Sequence, residues 1–136
     1  MLSALWAQFL KQRIFTCRLQ ASEMKKKEIL VRCWIDIDGV KHFGPGPAEL
    51  LELIHESGSI SKAAKKMNMS YKKAWDMIEN MNARGQKPYV IARKGGKAGG
   101  GTELTSTGKK VVASYKKLIR QLNNVVEKET ELLNLI

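Results

Sequence analysis

The chain has 136 residues, with 24 Lys and Arg against 13 Asp and Glu, a formal net charge of +11. That length suits one domain with an appended helix or tail and excludes a large two-domain enzyme. The 43% hydrophobic and 27% charged residues exclude wholesale disorder, and Cys17 and Cys33 make neither a disulfide framework nor a zinc pattern.

The charge is concentrated. Gly58 to Lys117 holds fourteen cations and three acids, so this segment carries the whole +11 and the rest of the chain is neutral. An anionic partner follows, nucleic acid ahead of an anionic membrane. A solubilising face is the plainer alternative.

Ala4 to Leu10 is a short apolar run followed by Lys11, Arg13 and Arg18, the reverse of a secretory signal. Residues 1–24 read as a leader, either an extension upstream of a start near Met24 or a frayed helix; a membrane-surface helix is the weaker reading. No stretch approaches the roughly 18 apolar residues of a membrane span.

Glu28 to Ile37 alternates with period two. Ile29, Val31, Cys33, Ile35 and Ile37 share one face, which predicts a strand. Asp38-Gly39 supplies a two-residue turn and Val40 to Phe43 the return strand. Gly44-Pro45-Gly46-Pro47 breaks the chain, with Pro47 placed to open a helix over Ala48–Ser57 that Gly58 ends. A second helix is predicted over Ser61–Met67, capped by Ser59 or Ser61. Asn68-Met69 is a turn, and a third helix runs from the cap Ser70 to about Ala83.

Tyr89 to Arg93 predicts a strand, Lys94 to Gly101 a flexible basic loop, and Thr102 to Leu104 the return strand. Thr105 or Thr107 then caps a helix predicted to continue to Ile136. Val111, Tyr115, Leu118, Leu122, Val125, Leu132 and Ile136 form an apolar seam that only Glu129 interrupts, beside a second row of Val112, Ile119, Val126 and Leu133. Two rows exceed what a solvated helix carries, so the seam predicts a second copy of the chain.

The order is hairpin, helix, helix-turn-helix, hairpin, long helix. That is an α+β winged helix-turn-helix, with residues 25–105 as the DNA-binding domain and 106–136 as a linker and dimerisation helix.

Gly58-Ser59-Ile60-Ser61, Met69-Ser70-Tyr71-Lys72-Lys73-Ala74-Trp75-Asp76 and Met81-Asn82 resemble the N-terminal DNA-binding domain of the molybdate-responsive regulators of the ModE type. Lys94-Gly95-Gly96-Lys97-Ala98-Gly99-Gly100-Gly101, then Leu104-Thr105 and Gly108, is similar to that family's glycine-rich wing and linker helix. The resemblance covers roughly residues 44–120, and the helix-turn-helix is also similar to that of LysR-type regulators. It implies a homodimeric, sequence-specific transcriptional regulator of the prokaryotic cytoplasm, bound to double-stranded DNA at the nucleoid and serving molybdenum or other metal genes. The chain ends at Ile136, directly after the linker helix. The expectation is therefore a DNA reader without the family's molybdate-binding module, with no cofactor, membrane partner or small-molecule substrate.

Ser61, Lys62, Ser70, Tyr71, Lys72, Lys73 and Asp76 are the candidate DNA contacts of the helix-turn-helix, with Tyr71, Lys72 and Lys73 leading because lysine donates to guanine edges and phosphates. Arg93, Lys94 and Lys97 are the wing contacts. Gly95, Gly96, Gly99, Gly100 and Gly101 let that backbone approach phosphates. Trp75 either packs under the wing or flanks DNA, and packing is the commoner use of an indole. The glycine loop lacks the spacing and Ser/Thr of a nucleotide-binding P-loop. His42 and His55 have no catalytic motif around them, so no enzyme is predicted. The alternatives are a winged-helix protein-interaction adaptor and a non-specific nucleic-acid-binding protein.

Overall fold

Asp38 and Gly39 both adopt positive φ, 51° and 75°, so the first hairpin turns where the sequence places it. A computed structural model describes residues 26–96 and 99–136; the predicted leader, residues 1–24, lies outside them. Strand β1 (Ile35–Ile37) pairs antiparallel with β2 (Val40–Phe43), Ile37 opposite Val40. The strand predicted over Glu28–Ile37 is thus only three residues long. Its partner has four residues, the register slips between Ile35 and Asp36, and the chain then turns into a helix at Gly44.

Helix α1 (Pro45–Ser57) starts three residues earlier than expected. Pro45, not Pro47, opens it, because a first-turn proline lacks only an N–H that has no partner there. Gly58 ends it at φ 62°, donating its N–H to Ile54 at 2.8 Å. Helices α2 (Ile60–Lys66) and α3 (Tyr71–Arg84) follow. Strands β3 (Val90–Gly96) and β4 (Gly99–Leu104) make the wing. The loop predicted over Lys94–Gly101 is instead drawn into the two strands at both ends, with Arg93 opposite Gly101 and Gly96 opposite Gly99, since glycine satisfies a ladder as any residue does.

Helix α4 (Ser106–Val126) is capped by Thr105, and a short helix α5 (Glu131–Leu135) follows. The predicted helix to Ile136 therefore breaks after Val126. Residues 127–131 contain no apolar side chain to pack. Glu129 also turns its carboxylate onto the Leu132 N–H at 3.1 Å, capping a new helix. The architecture is an α+β winged helix with two antiparallel hairpins.

Leu50, Leu51 and Ile54 of α1 are fully buried between α2, α3 and α4. Phe43 sits edge-on to Tyr89 and Tyr115, with ring centroids 6.3 and 5.3 Å away. Tyr115 is the seam residue that the spacing misplaces. It is buried, and its hydroxyl donates to the Cys33 carbonyl at 2.8 Å, so it serves the core and is not free for a partner chain.

His42 is also buried, its Nε2 3.3 Å from the Tyr89 hydroxyl and its Nδ1 without a hydrogen-bond partner among the described residues. Burial, and then the nearby Arg84 guanidinium, hold its pKa below the ordinary imidazole value. The unfolded chain takes up a proton near pH 6.5 while the folded chain resists it. His42 therefore costs no stability above about pH 6.5, and stability falls as pH drops below that value. Urea midpoints at pH 7.5 and 5.5 are expected to show a smaller acid loss in His42→Gln than in the wild type.

Candidate nucleic-acid interface

The helix-turn-helix is built from caps and small residues. The Ser59 hydroxyl accepts the Lys62 N–H at 3.3 Å, so Ser59 and not Ser61 starts α2. Asn68 takes the left-handed conformation, φ 53°, which asparagine tolerates, and the Met69 N–H returns to the Ala64 carbonyl at 3.0 Å. The Ser70 hydroxyl then accepts the Lys73 N–H at 3.2 Å and starts α3. Ala63, Ala64 and Ala74 are buried where the two helices cross. Ala74, Ile78 and Met81 fill the inner stripe of α3, which leaves Tyr71, Lys72 and Lys73 exposed on its first turn. Ser61 and Lys62 are exposed at the start of α2.

Tyr71 and Trp75 stack, with centroids 6.2 Å apart and planes inclined by 22°. Trp75 is 41% exposed, so packing does not consume it. Four residues after Tyr71, it lies on the outer face, and its ring lines a groove against Ile78, Val90 and Ile91 of the wing side. Asp76 holds the Lys72 ammonium at 2.9 Å in an exposed pair.

The wing is fixed to the helices by polar contacts. The Asn82 side chain accepts the Tyr89 and Val90 N–H groups at 2.8 and 3.3 Å and donates to the Val90 carbonyl at 2.9 Å. Thr102 donates its N–H to the Gly58 carbonyl at 3.0 Å; a Cβ on Gly101 would crowd the same oxygen at 3.0 Å. Sequence reasoning missed the clasp role of Asn82; a polar residue late in α3, facing Tyr89-Val90, was the available signal. Arg93 is exposed and pairs loosely with Glu103 at 3.8 Å. Lys94, Gly95 and Gly96 lie on β3, and Gly99, Gly100 and Gly101 on β4. Lys97 lies outside the described residues.

Among the described residues no group of three His, Cys, Asp or Glu gathers to hold a metal. None of their helices is long and apolar enough to cross a membrane. On α4 and beyond, Val111 and Leu122 are half-buried, Leu118 is 37% exposed and Val125 70% exposed, and Leu132 and Ile136 are exposed.

No protein-family model matches the chain. The molybdenum transport protein ModE of Azotobacter vinelandii is 38% identical to it over 111 residues, 82% of this chain and 41% of that protein. The chain is homologous to ModE. A 111-residue match within 136 residues takes in residues 26–111 wherever it ends, so the ModE relationship includes the helix-turn-helix and the wing. The DNA-binding transcriptional dual regulator ModE of Escherichia coli (strain K12) is 44% identical over 71 residues, 52% of this chain and 27% of its own. The molybdenum-pterin-binding protein MopB of Rhodobacter capsulatus is 50% identical over 66 residues, 48% of this chain and 24% of its own. The chain thus matches between about a quarter and two fifths of the length of these ModE and MopB relatives.

Proposed function

We propose that the chain is a sequence-specific DNA reader of a transcriptional regulator and acts as a homodimer. The observation that carries this is the first turn of α3, where Tyr71, Lys72 and Lys73 are exposed and capped by Ser70, beside the exposed Arg93 of the wing. Such a turn enters the major groove with side chains at base edges, while neighbouring cations hold phosphates. Ser61, Lys62, Lys94 and Lys97 extend the phosphate track, and the wing glycines Gly95 to Gly101 let the backbone lie close to it. Asp76 orients Lys72. Residues 25–105 are the reader, and 106–136, with α4 and α5, the linker and dimerisation segment. The reading needs no enzyme chemistry, and it places the protein on the nucleoid in a prokaryotic cytoplasm, at genes of molybdenum or other metals. Molybdate or a molybdenum pterin would act on the reader from other parts of a ModE-type protein.

The salt dependence of DNA binding tests this. Lys62, Lys72, Lys73, Arg93, Lys94 and Lys97 give six cations per protomer and twelve per dimer, so log Kobs is expected to fall with log salt at a slope of about −11. A protein-interaction adaptor has no such slope, and a non-specific binder shows it equally on every sequence.

The seam of Val111, Leu118, Leu122, Val125, Leu132 and Ile136 supports the homodimer. Removal of residues 122–136 is expected to shift the protein toward monomer at micromolar concentration on sizing. An unchanged dimer overturns the helix seam.

A further inference from the structure

The strongest β pattern in the chain is the one its fold uses least. Between Lys26 and Trp34, no backbone N–H or C=O pairs with another backbone group among the described residues. The segment still alternates: Ile29, Val31 and Cys33 are half-buried, and Glu28, Leu30, Arg32 and Trp34 are exposed. Two bonds pin it along the C-terminal helices. The Tyr115 hydroxyl donates to the Cys33 carbonyl at 2.8 Å, and the Lys27 ammonium donates to the Leu133 carbonyl at 3.2 Å. The two bonds anchor Cys33 against α4 and Lys27 against α5.

A segment with one half-buried face and no backbone ladder is a template for another strand. Its own charges select the partner. Antiparallel pairing about a two-fold axis at Leu30 sets Glu28 of each copy opposite Arg32 of the other, Lys26 opposite Trp34, and Leu30 against Leu30. Neighbouring registers lack this match. Centred on Ile29, Lys26 faces Arg32; centred on Val31, Leu30 faces Arg32; centred on Arg32, that residue faces itself and Glu28 faces Asp36. Arg32 has no acidic partner among the described residues, and Glu28 meets only the exposed Lys26 at 3.4 Å. Leu30 is 71% exposed. It lies midway in sequence between the two pinned residues, Lys27 and Cys33.

We infer that residues 26–34 form an antiparallel β-ribbon with the same segment of a second copy, with the two-fold at Leu30. The inference rests on the proposed homodimer and supplies its register. It is tested by a Leu30→Cys variant of the full chain carrying Cys17→Ser and Cys33→Ser, oxidised with glutathione disulfide. Most of the protein is expected as a covalent dimer on a non-reducing gel, because paired Cα atoms lie within disulfide reach. Arg32→Cys in the same background places its two copies about 13 Å apart and is expected to stay uncrosslinked. Failure of Leu30→Cys to crosslink, or equal crosslinking by Arg32→Cys, overturns the register. Sizing of the unoxidised protein separates the causes. A dimer that does not crosslink sinks the ribbon alone, and a monomer sinks the ribbon and the homodimer together.

Discussion

The Lys72→Ala/Lys73→Ala double variant is expected to bind specific duplex DNA at least ~100-fold more weakly than the wild type, because a hydrogen bond to a charged group contributes about 1.5–3 kcal/mol. Both lysines stand on the exposed first turn of α3. The loss is compounded at Asp76, whose carboxylate sits 2.9 Å from the Lys72 ammonium and is left uncompensated near the DNA. The fold should not notice the change. The Lys72–Asp76 pair is exposed and worth only about 0.3–0.5 kcal/mol to the helix, and the Ser70 cap uses the Lys73 backbone rather than its side chain. Fluorescence anisotropy should also show the salt slope shallower by about 2 per protomer. Unchanged affinity for the same duplex would mean that α3 is not the reading helix.

Gly108→Ala is the larger structural insult, although intrinsic propensity favours alanine inside a helix by about 1 kcal/mol. A Cβ at Gly108 would stand 2.3 Å from the Tyr89 carbonyl oxygen, which is backbone and cannot swing away. The same spot is a knot. The Thr105 N–H donates to that oxygen at 3.0 Å, and the Thr105 hydroxyl donates to the Pro88 carbonyl at 2.7 Å while accepting the Gly108 N–H at 3.0 Å. To relieve the clash, α4 must back away from β3. That strains the cap and loosens Val112 and Tyr115, which α4 buries in the core. The expected loss is about 2–4 kcal/mol, the range of overpacking combined with a broken cap. Urea unfolding at pH 7.5 measures it. A variant as stable as the wild type would show that α4 does not dock on Tyr89 through this glycine.

The pattern of alternating and 3.6-residue spacing made the element order legible, and Asp38-Gly39, Gly58 and Ser70 marked turns and caps that the structure keeps. What stayed hidden depends on contacts between distant segments. Residues 28–34 read as a strand because their pattern is right, yet a strand also needs a ladder partner, and the short β2 reaches only as far as Ile35. Tyr115 keeps the spacing of an outward seam, but an aromatic ring beside Phe43 and the Cys33 carbonyl is drawn inward. Glycines 95 to 101 look like a loop because they lack side chains, while strand pairing asks only for backbone groups. The break after Val126 follows from Glu127-Lys128-Glu129-Thr130-Glu131, a run with no apolar anchor, which the seven-residue repeat of Val126 and Leu133 masks. At the candidate interface, the exposed position of Tyr71, Lys72 and Lys73 on the first turn of α3 was readable from their place after the Ser70 cap. The Asn82 clasp was not, since its partners lie seven and eight residues ahead across a turn. Trp75 shows the same limit. A common rule for indoles points inward, but Ala74, Ile78 and Met81 already occupy the inner stripe.

Selection of random duplexes by the purified chain, with sequencing of the retained pool, tests the central claim most directly. A sequence-reading homodimer is expected to enrich an inverted repeat whose half-sites are separated by about one helical turn or a small multiple of it. In the K72A/K73A variant that enrichment should vanish while weak, sequence-blind binding persists. A wild-type pool that stays random, or an enriched motif that survives the loss of both lysines, would contradict the account.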